Sequence, residues 1–195
     1  MATNQTATKC LIGEARMNWV RVFEPEIFEG NSKYSVTLTF EKTNKALYKK
    51  IQNAIEECAK KAEATMFGGK LPKKFALPEI KDGDEDFETD GYAGMYVLKA
   101  SSSYKPEVVK KGTVMGKTQL ITITDEEEEF YSGCYGFASV TFRAYSKSVN
   151  NGVSCQLDSL LKTRDGERFG GKASAATDFA DILDDIDEID NDEDL

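Results

Sequence analysis

Apolar and polar residues alternate along several stretches of this chain, which is the pattern of half-buried β-strands. The cleanest alternation lies at 33–40, where every second residue from Tyr34 to Phe40 is apolar. The same pattern and the turn residues around it predict further strands at 11–23, 92–102, 119–124, 134–145 and 152–164. Residues 103–117 are predicted to form a polar, basic loop, and Asn150-Asn151-Gly152 suits a hairpin turn.

The alternation also predicts which side chains are buried. In the first strand, the residues assigned to one side are Leu11, Ala15, Met17, Trp19 and Phe23. Trp19 is interpreted there as a core residue rather than as a platform for a ligand. In the last strand, the residues predicted to be buried are Val153, Cys155, Leu157 and Leu161. The opposite side of that strand carries Gln156, Asp158, Lys162 and Arg164.

Residues 43–66 follow a different period. Apolar residues recur there at steps of three and four, which predicts one amphipathic helix. Thr43 is expected to cap the start of the helix, and Gly68-Gly69 is expected to end it. The apolar stripe consists of Leu47, Ile51, Ile55, Cys58 and Ala62.

One helix inserted between early and late strands predicts a mainly β fold, either a small antiparallel barrel or a sandwich. The pattern alone does not separate an OB-fold from other barrels. A segment of small residues, 170–177, is typical of a linker. We therefore predict a folded domain over 1–171 and a flexible acidic tail over 172–195.

Charge is unevenly distributed along the chain. The net charge is −9, but ten acidic residues and no basic ones lie between Asp178 and Leu195. Two further acidic runs, at 82–90 and 125–129, hold eleven carboxylates. Outside these segments, 25 basic residues stand against 13 acidic ones. A basic surface on the folded domain is therefore expected if the acidic runs point elsewhere.

Residue composition argues against most catalytic chemistry. The chain has no histidine, and its four cysteines form no C-x-x-C pair, so the familiar zinc sites and histidine-based catalysis are excluded. The cysteines are expected to be small buried residues in a reducing compartment. No stretch has the length of a membrane span or the apolar core of a signal peptide, so a cytosolic location is expected. No cofactor is predicted.

Two segments resemble ligand loops but lack required residues. Residues 112–118 read G-x-x-x-G-K-T, one residue short of a phosphate-binding loop, and a β-like run follows where a helix is needed. Residues 82–93 begin like a calcium loop, but Phe87 and Ala93 replace the glycine and glutamate that such a loop requires.

The strand at 134–145 is the most informative segment for function. Its even positions are small or apolar and suit a curved core face, whereas its odd positions mix aromatic rings, hydroxyls and a cation. Rings that stack on bases and cations that follow phosphates are the means by which proteins grip single-stranded nucleic acid. The alternative is that this face is a second packed layer beneath loops.

Neighbouring segments contribute further rings and cations, with Arg16, Trp19, Arg21 and Lys33 as weaker candidates. The complete set of predicted DNA-binding residues is Tyr135, Phe137, Arg143, Tyr145, Lys99, Tyr104, Lys105, Lys110, Lys111, Lys162 and Arg164.

The acidic tail contains regularly spaced apolar residues, which would form one stripe on a transient helix. Self-repulsion is expected to keep the tail disordered when it is free. It would either dock on basic grooves of partner proteins or compete with DNA for the cationic cleft of the domain, unless it serves only solubility. The predicted partner-binding residues are Phe179, Ile182, Leu183, Ile186 and Ile189.

Short sequence matches spread over 11–171 resemble a family of bacteriophage single-stranded DNA-binding proteins that combine an OB-fold with an acidic tail. The matching stretches are Gly13-Glu14-Ala15-Arg16, Val22-Phe23-Glu24-Pro25, Lys33-Tyr34-Ser35-Val36, Lys81-Asp82-Gly83-Asp84, Tyr92-Ala93-Gly94, Tyr131-Ser132-Gly133-Cys134-Tyr135 and Arg164-Asp165-Gly166-Glu167. The resemblance implies an OB-fold and single-strand binding with little sequence preference, in phage replication or recombination. The chain departs from it in a longer, more β-like segment at 112–124 and in a tail without a terminal aromatic residue.

We therefore predict a non-enzymatic protein that binds single-stranded DNA in the cytoplasm of an infected bacterium. Its tail would recruit replication or recombination proteins. One alternative is an acidic interaction module, or DNA mimic, that does not bind DNA. Another is a metal-dependent nuclease that uses Asp82, Asp84 and Asp86. Exposed edge strands would permit a homodimer or a filament, and the sequence does not decide between these and a monomer.

Overall fold

The computed structural model describes residues 7–28, 30–87, 90–148 and 150–168. Its one α-helix, α1, spans Lys45–Thr65, and single 3₁₀ turns lie at Asp90–Tyr92 and Asp125–Glu127. The strands are β1 (Ala7–Phe28), β2 (Asn31–Glu41), β3 (Phe75–Ala76), β4 (Lys81–Asp82), β5 (Met95–Ser102), β6 (Glu107–Val114), β7 (Lys117–Thr122), β8 (Tyr135–Lys147) and β9 (Asn150–Arg164). The predicted tail and the linker before it lie outside the described residues. Among the described residues, no helix is both long and apolar enough to cross a membrane.

Five strands close into a barrel in the order β5-β2-β1-β8-β9, and β9 returns to β5 through the parallel pair Gln156 and Ser101. The other contacts around the barrel are antiparallel. Outside the barrel, β6 lies parallel to β9 and forms a hairpin with β7. The prediction of a mainly β barrel with one inserted helix is confirmed.

Strand β8 builds one wall of the core as its alternation predicts. Its even positions, from Gly136 to Ala144, are buried, and its odd positions are half-buried on the outer side. Phe142 is completely buried and meets α1, where the Cys58 thiol donates to the Phe142 carbonyl oxygen at 3.3 Å. All four cysteines are free and buried, and burial raises the pKa of the Cys155 thiol well above its usual value.

Helix α1 begins one residue later than it would if Thr43 were its N-cap, as predicted. Asn44 is the N-cap, and its Oδ1 accepts from the Leu47 backbone N–H at 3.1 Å. Thr43 instead donates its hydroxyl hydrogen to Glu41. The predicted stripe is buried against the barrel throughout, and both glycines beyond the helix adopt positive φ angles, which glycine tolerates best.

Two bulges in the barrel overturn parts of the predicted burial. Ala15 and Met17 are buried, but Leu11 is 53% exposed and Trp19 is 58% exposed. The pairing of β1 with β8 shifts between Ile12 and Ala15. Its pairing with β2 shifts between Asn18 and Arg21, where Trp19 has a φ of +48°, so strict alternation fails on both sides of the buried pair.

Strand β9 contains another shift, between its pairings with Ser139 and Val140 of β8. Because of this extra residue, Leu160 takes the core position and Leu161 turns outward beside Phe137. Lys162 was predicted on the outer side, but it lies opposite core-facing Gly136 at the end of the barrel. The burial of Leu161 and the outward direction of Lys162 were therefore predicted wrongly, because the bulge reverses the alternation. A further shift beside Tyr135 returns Arg164 to the outer side.

The predicted loop at 103–117 is mostly the β6–β7 hairpin. Met115 and Gly116 form its two-residue turn and both have positive φ, +50° and +73°. Such a turn usually has asparagine or aspartate before glycine. Met115 occupies that position here, so the sequence did not predict the hairpin.

Candidate nucleic-acid interface

The outer side of β8 presents the four predicted residues Tyr135, Phe137, Arg143 and Tyr145. All four are half-buried, which leaves part of each side chain in contact with solvent. Tyr135 and Tyr145 stand ten residues apart, about 33 Å at the usual rise of a strand. The predicted residues therefore form several groups around the barrel rather than one cluster.

At the start of β8, an arginine stacks on an aromatic ring. The Arg164 guanidinium lies 3.5 Å from the centroid of the Tyr135 ring, and its Nε donates to Glu14 Oε1 at 3.2 Å. This arrangement fixes the ring in place. The glutamate also compensates part of the arginine charge, so Arg164 is better suited to positioning Tyr135 than to neutralising a phosphate.

A second ring lies nearby, at Tyr131. The guanidinium of Arg168 is 4.2 Å from its centroid, and the ammonium of Lys162 is 5.4 Å from it. Lys162 is paired with Asp165 at 2.7 Å, and its side chain is only 10% exposed. That lysine, together with the Tyr131 hydroxyl, holds the pKa of the Asp165 carboxyl below its usual value. Lys162 is thus largely paired with its aspartate. The Tyr131–Arg168 pair is not among the residues predicted to bind DNA.

At the opposite end of β8, Tyr145 borders an open basic groove of about 540 Å³. Strand β3 pairs with β9 there and brings a lysine-rich loop against the β8–β9 hairpin. The lysines that line this groove are Lys73, Lys74 and Lys147. These lysines were not predicted, because the two-residue strand β3 is too short to show alternation. The adjacent lysines followed by Phe75 are the only local signal.

A polar row joins Arg143 to the other side of the barrel. Arg143 Nε donates to Gln156 Oε1 at 3.1 Å, and Gln156 pairs with Ser101 of β5. Lys99 is exposed two residues earlier on β5 and points to the same outer side. The barrel therefore brings together two predicted residues that lie 44 positions apart in the sequence.

Tyr104 and Lys105 follow β5 directly. Tyr104 is 81% exposed, and its backbone N–H donates to the Ser102 hydroxyl at 3.0 Å. The Lys105 ammonium lies 5.7 Å from the centroid of the Phe23 ring. An exposed ring thus lies one residue before a cation in the chain.

The two lysines of β6 lie on opposite faces of the hairpin. Lys110 is paired with Glu129 at 2.6 Å, and this contact raises the pKa of Lys110. Lys111 is exposed on the other face, opposite Leu120. That face continues into an apolar groove of about 340 Å³, which contains Phe137. Phe137 therefore belongs to an apolar surface rather than to a cationic one.

Trp19 is a further candidate, and its exposure contradicts the core interpretation. Its indole Nε1 donates to the Tyr92 hydroxyl at 2.6 Å, and Tyr92 is buried against the Phe87 ring, with centroids 4.5 Å apart. The hydrogen bond orients the indole while leaving 58% of the residue exposed. Trp19 is exposed because β1 is irregular at this residue, and the alternation of apolar and polar residues does not indicate that irregularity.

The first acidic run is fastened to the barrel by Lys42. The Lys42 ammonium pairs with both Asp82 and Asp84, which raises the pKa of the lysine and lowers the pKa of each carboxyl. Asp86 accepts the backbone N–H of Asp82. Each of the three carboxylates proposed for a nuclease thus has a structural contact. Within the described part of the chain, no group of three or more potential ligands is placed to hold a metal ion.

Comparison with known proteins identifies relatives along nearly the whole chain. A protein-family model described as the ssDNA-binding protein of Enterobacter phage Enc34 matches residues 8–194. Putative protein p50 of Acyrthosiphon pisum secondary endosymbiont phage 1 is 31% identical over 182 residues, covering 86% of this chain and 92% of that protein.

Solved structures agree with the sequence relatives. The single-stranded DNA-binding protein from bacteriophage Enc34, in complex with ssDNA, has a TM-score of 0.66 at 27% identity, covering 84% of this chain and 90% of that chain. Gp2.5 of bacteriophage T7, at 18% identity and a TM-score of 0.52 over 91% of this chain and 94% of that chain, supports the fold alone.

These comparisons confirm the predicted OB-fold-like barrel and the resemblance to phage single-stranded DNA-binding proteins. The family model and the solved Enc34 structure are both described as single-stranded DNA-binding proteins. The family model covers all but eight of the 195 residues. This chain therefore belongs to the family of the Enterobacter phage Enc34 single-stranded DNA-binding protein.

Proposed function

We propose that this protein binds single-stranded DNA without sequence preference and coats strands exposed during phage replication, recombination or repair. The observation that carries the proposal is the family match over 8–194, which includes all of the barrel except its first residue. The solved Enc34 relative, whose structure contains ssDNA, gives further support. The site of action would be the cytoplasm of the infected bacterium.

We assign contact residues by asking which predicted side chains have an exposed ring or a charge that no neighbour compensates. Stacking contributes about 1 to 3 kcal/mol per base and accepts any base, so exposed rings provide affinity without sequence preference. We assign direct contacts to Tyr135, Tyr145, Arg143, Lys99, Tyr104, Lys105 and Lys111. Trp19, a weaker candidate from the sequence, joins them because it is exposed, and Lys73, Lys74 and Lys147 are additions from the structure. Phe137, Lys110, Lys162 and Arg164 are assigned supporting positions because each is already committed to a neighbour.

The tail, 172–195, is proposed to act in two ways. Its apolar residues, beginning at Phe179, would dock on replication or recombination proteins. Its ten carboxylates would also compete with DNA phosphates for the cations of the folded domain. Both actions rest on the sequence of the tail and on the basic excess outside the acidic segments.

The deciding experiment is fluorescence anisotropy with labelled oligo-dT and a matched duplex over a salt series. We expect tight binding to oligo-dT, weak binding to the duplex, and an affinity for oligo-dT that falls steeply as salt rises. Equal affinity for both ligands would contradict single-strand preference. If neither ligand binds, the alternative of an acidic interaction module becomes the better account of the chain.

A further inference from the structure

Strand β7 ends the sheet and leaves one edge open. It occupies the last position in the strand order and pairs with β6 alone among the described strands. Of its six residues only Lys117 is charged, and Leu120 at its middle is 63% exposed. Proteins usually protect an edge strand with charge, proline or a cover, because its free backbone groups pair readily with another strand. The protection of β7 is confined to its first residue.

The hairpin geometry shows which backbone groups of β7 are available. Val114 pairs with Lys117 across the two-residue turn, so those two residues exchange backbone hydrogen bonds. Alternation along an antiparallel strand then directs Gln119 and Ile121 toward β6 as well. The N–H and C=O groups of Thr118, Leu120 and Thr122 therefore point to the open edge.

We propose that a second copy of this chain docks on this edge and that the two β7 strands pair antiparallel about a two-fold axis at Leu120. Leu120 would then face its own equivalent in a hydrogen-bonded pair, with Thr118 opposite the partner's Thr122. Such a contact uses the same surface of both copies and closes at a dimer. The inference stands on the edge itself and does not depend on DNA binding.

The side chains on the face of β7 that carries Leu120 favour pairing with a second copy of the chain. Leu120 lines the apolar groove of about 340 Å³ together with Leu11, Phe137 and Leu161 of the barrel. Leu11 and Leu120 are both more than half exposed in the single chain. In the proposed pair, the two grooves meet across the axis, so each Leu120 is covered by its partner and apolar surface leaves water.

Charge also favours the antiparallel arrangement. Lys117 begins β7, and the acidic 3₁₀ turn Asp125–Glu127 follows shortly after its end. Antiparallel pairing at Leu120 places Lys117 opposite the partner's Ile123, two residues from the partner's Asp125. A parallel pair would instead set lysine beside lysine and acid beside acid, which is unfavourable.

Sedimentation equilibrium of the full-length protein without DNA, over a concentration series, tests the proposal. We expect the wild-type mass to approach twice the chain mass of 21.6 kDa as concentration rises. Leu120→Lys puts two like charges at the axis. It should raise the dimer dissociation constant about tenfold or more, which corresponds to a loss of about 1.4 kcal/mol or more of association free energy. Leu77→Lys alters another half-exposed leucine, away from β7, and should leave that constant unchanged.

A charge exchange makes the test specific to the predicted register. Lys117→Glu and Asp125→Lys should each weaken the dimer, and the double variant should recover most of the wild-type association. A wild-type protein that stays monomeric at all concentrations would overturn the proposal. So would unchanged association of a folded Leu120→Lys variant, or a double variant no better than either single one.

Discussion

At the scale of single residues, the cations of the barrel differ mainly in whether a carboxylate already accompanies them. Lys110 is paired with Glu129 and Lys162 with Asp165, whereas Lys99 stands exposed on the outer side of β5. A cation that must leave a carboxylate before it meets a phosphate contributes less to binding. Residue type and spacing alone do not reveal this difference.

The contrast between Lys99 and Lys110 is directly testable. We expect Lys99→Ala to weaken oligo-dT binding and to lower the salt dependence by about one phosphate contact. Lys110→Ala should change both quantities much less, because its charge is already compensated by Glu129. Anisotropy titrations at several salt concentrations measure both effects. A larger loss for Lys110→Ala would show that the DNA path crosses the other face of the hairpin.

The stacked tyrosine gives a second prediction at this scale. Tyr135→Ala should weaken oligo-dT binding by about 1 to 3 kcal/mol, the value of one base stacked on a ring. Tyr135→Phe keeps the ring under Arg164 and should bind nearly as the wild type does. Circular dichroism checks that both variants are folded. We expect Arg143→Ala also to weaken binding. Unchanged affinity in both alanine variants would remove the outer side of β8 from the interface.

At the scale of elements, the start of α1 depends on Asn44 rather than on Thr43. Asn44→Ala removes the acceptor of the Leu47 N–H and should lower the free energy of unfolding by about 1 kcal/mol. Thr43→Ala should have a smaller effect, because its hydroxyl contacts only exposed Glu41. Urea unfolding followed by circular dichroism measures both variants. The reverse order of effects would contradict this assignment of the cap.

The acidic loop at 82–86 gives a pH-dependent prediction for a second element. Pairing with Lys42 lowers the pKa of Asp84, so this stabilisation is complete above the unfolded value of about 3.9 and is lost as pH falls through the lower folded value. The melting temperature of Asp84→Asn should therefore lie below that of the wild type at pH 7, and the gap should close in strong acid.

A control within the same run separates this ion pair from general charge effects. Glu85→Gln removes a neighbouring carboxylate, and Glu85 forms no ion pair within the described part of the chain. Differential scanning calorimetry from pH 7 to about pH 2 compares the three proteins across the ionisation range of carboxylates. A gap for Asp84→Asn that is independent of pH would indicate a cause other than the pairing with Lys42.

At the scale of the whole molecule, the formal charge of −9 conceals separate regions of opposite sign. The two acidic runs of the folded domain are partly neutralised, the first by Lys42 just after β2 and the second by Lys110 of β6. Other lysines, Lys73, Lys74 and Lys147 among them, line the open groove beside Tyr145. The acidic tail is then the largest anionic segment left to compete for them.

Removal of the tail tests this competition. We expect deletion of residues 178–195 to tighten oligo-dT binding, most strongly at low salt, because ten competing carboxylates are gone. Titrations of full-length and shortened protein over the same salt series provide the measurement. A matched variant with the acidic tail residues replaced by asparagine and glutamine separates charge from length. Equal or weaker binding after deletion would contradict autoinhibition by the tail.

The sequence by itself determined the elements whose burial repeats regularly. Alternation in β8 and the stripe of α1 directly reflect one buried face, so the strand, the helix and the mainly β class followed from them. The uneven distribution of charge and the absence of histidine are likewise evident from the sequence without the structure. The resemblance to phage single-strand binders rested on short matches spread along the chain.

Only the tertiary structure decided which side chains reach the surface where strands shift. The bulges in β1 and β9 reversed Leu11, Leu161 and Lys162, because side chains on the two sides of a bulge no longer follow one alternation. The barrel also set the long-range pairs that the sequence does not encode locally. It brought Lys73 beside Tyr145 and gave Lys110 its glutamate, and it left β7 as an open edge.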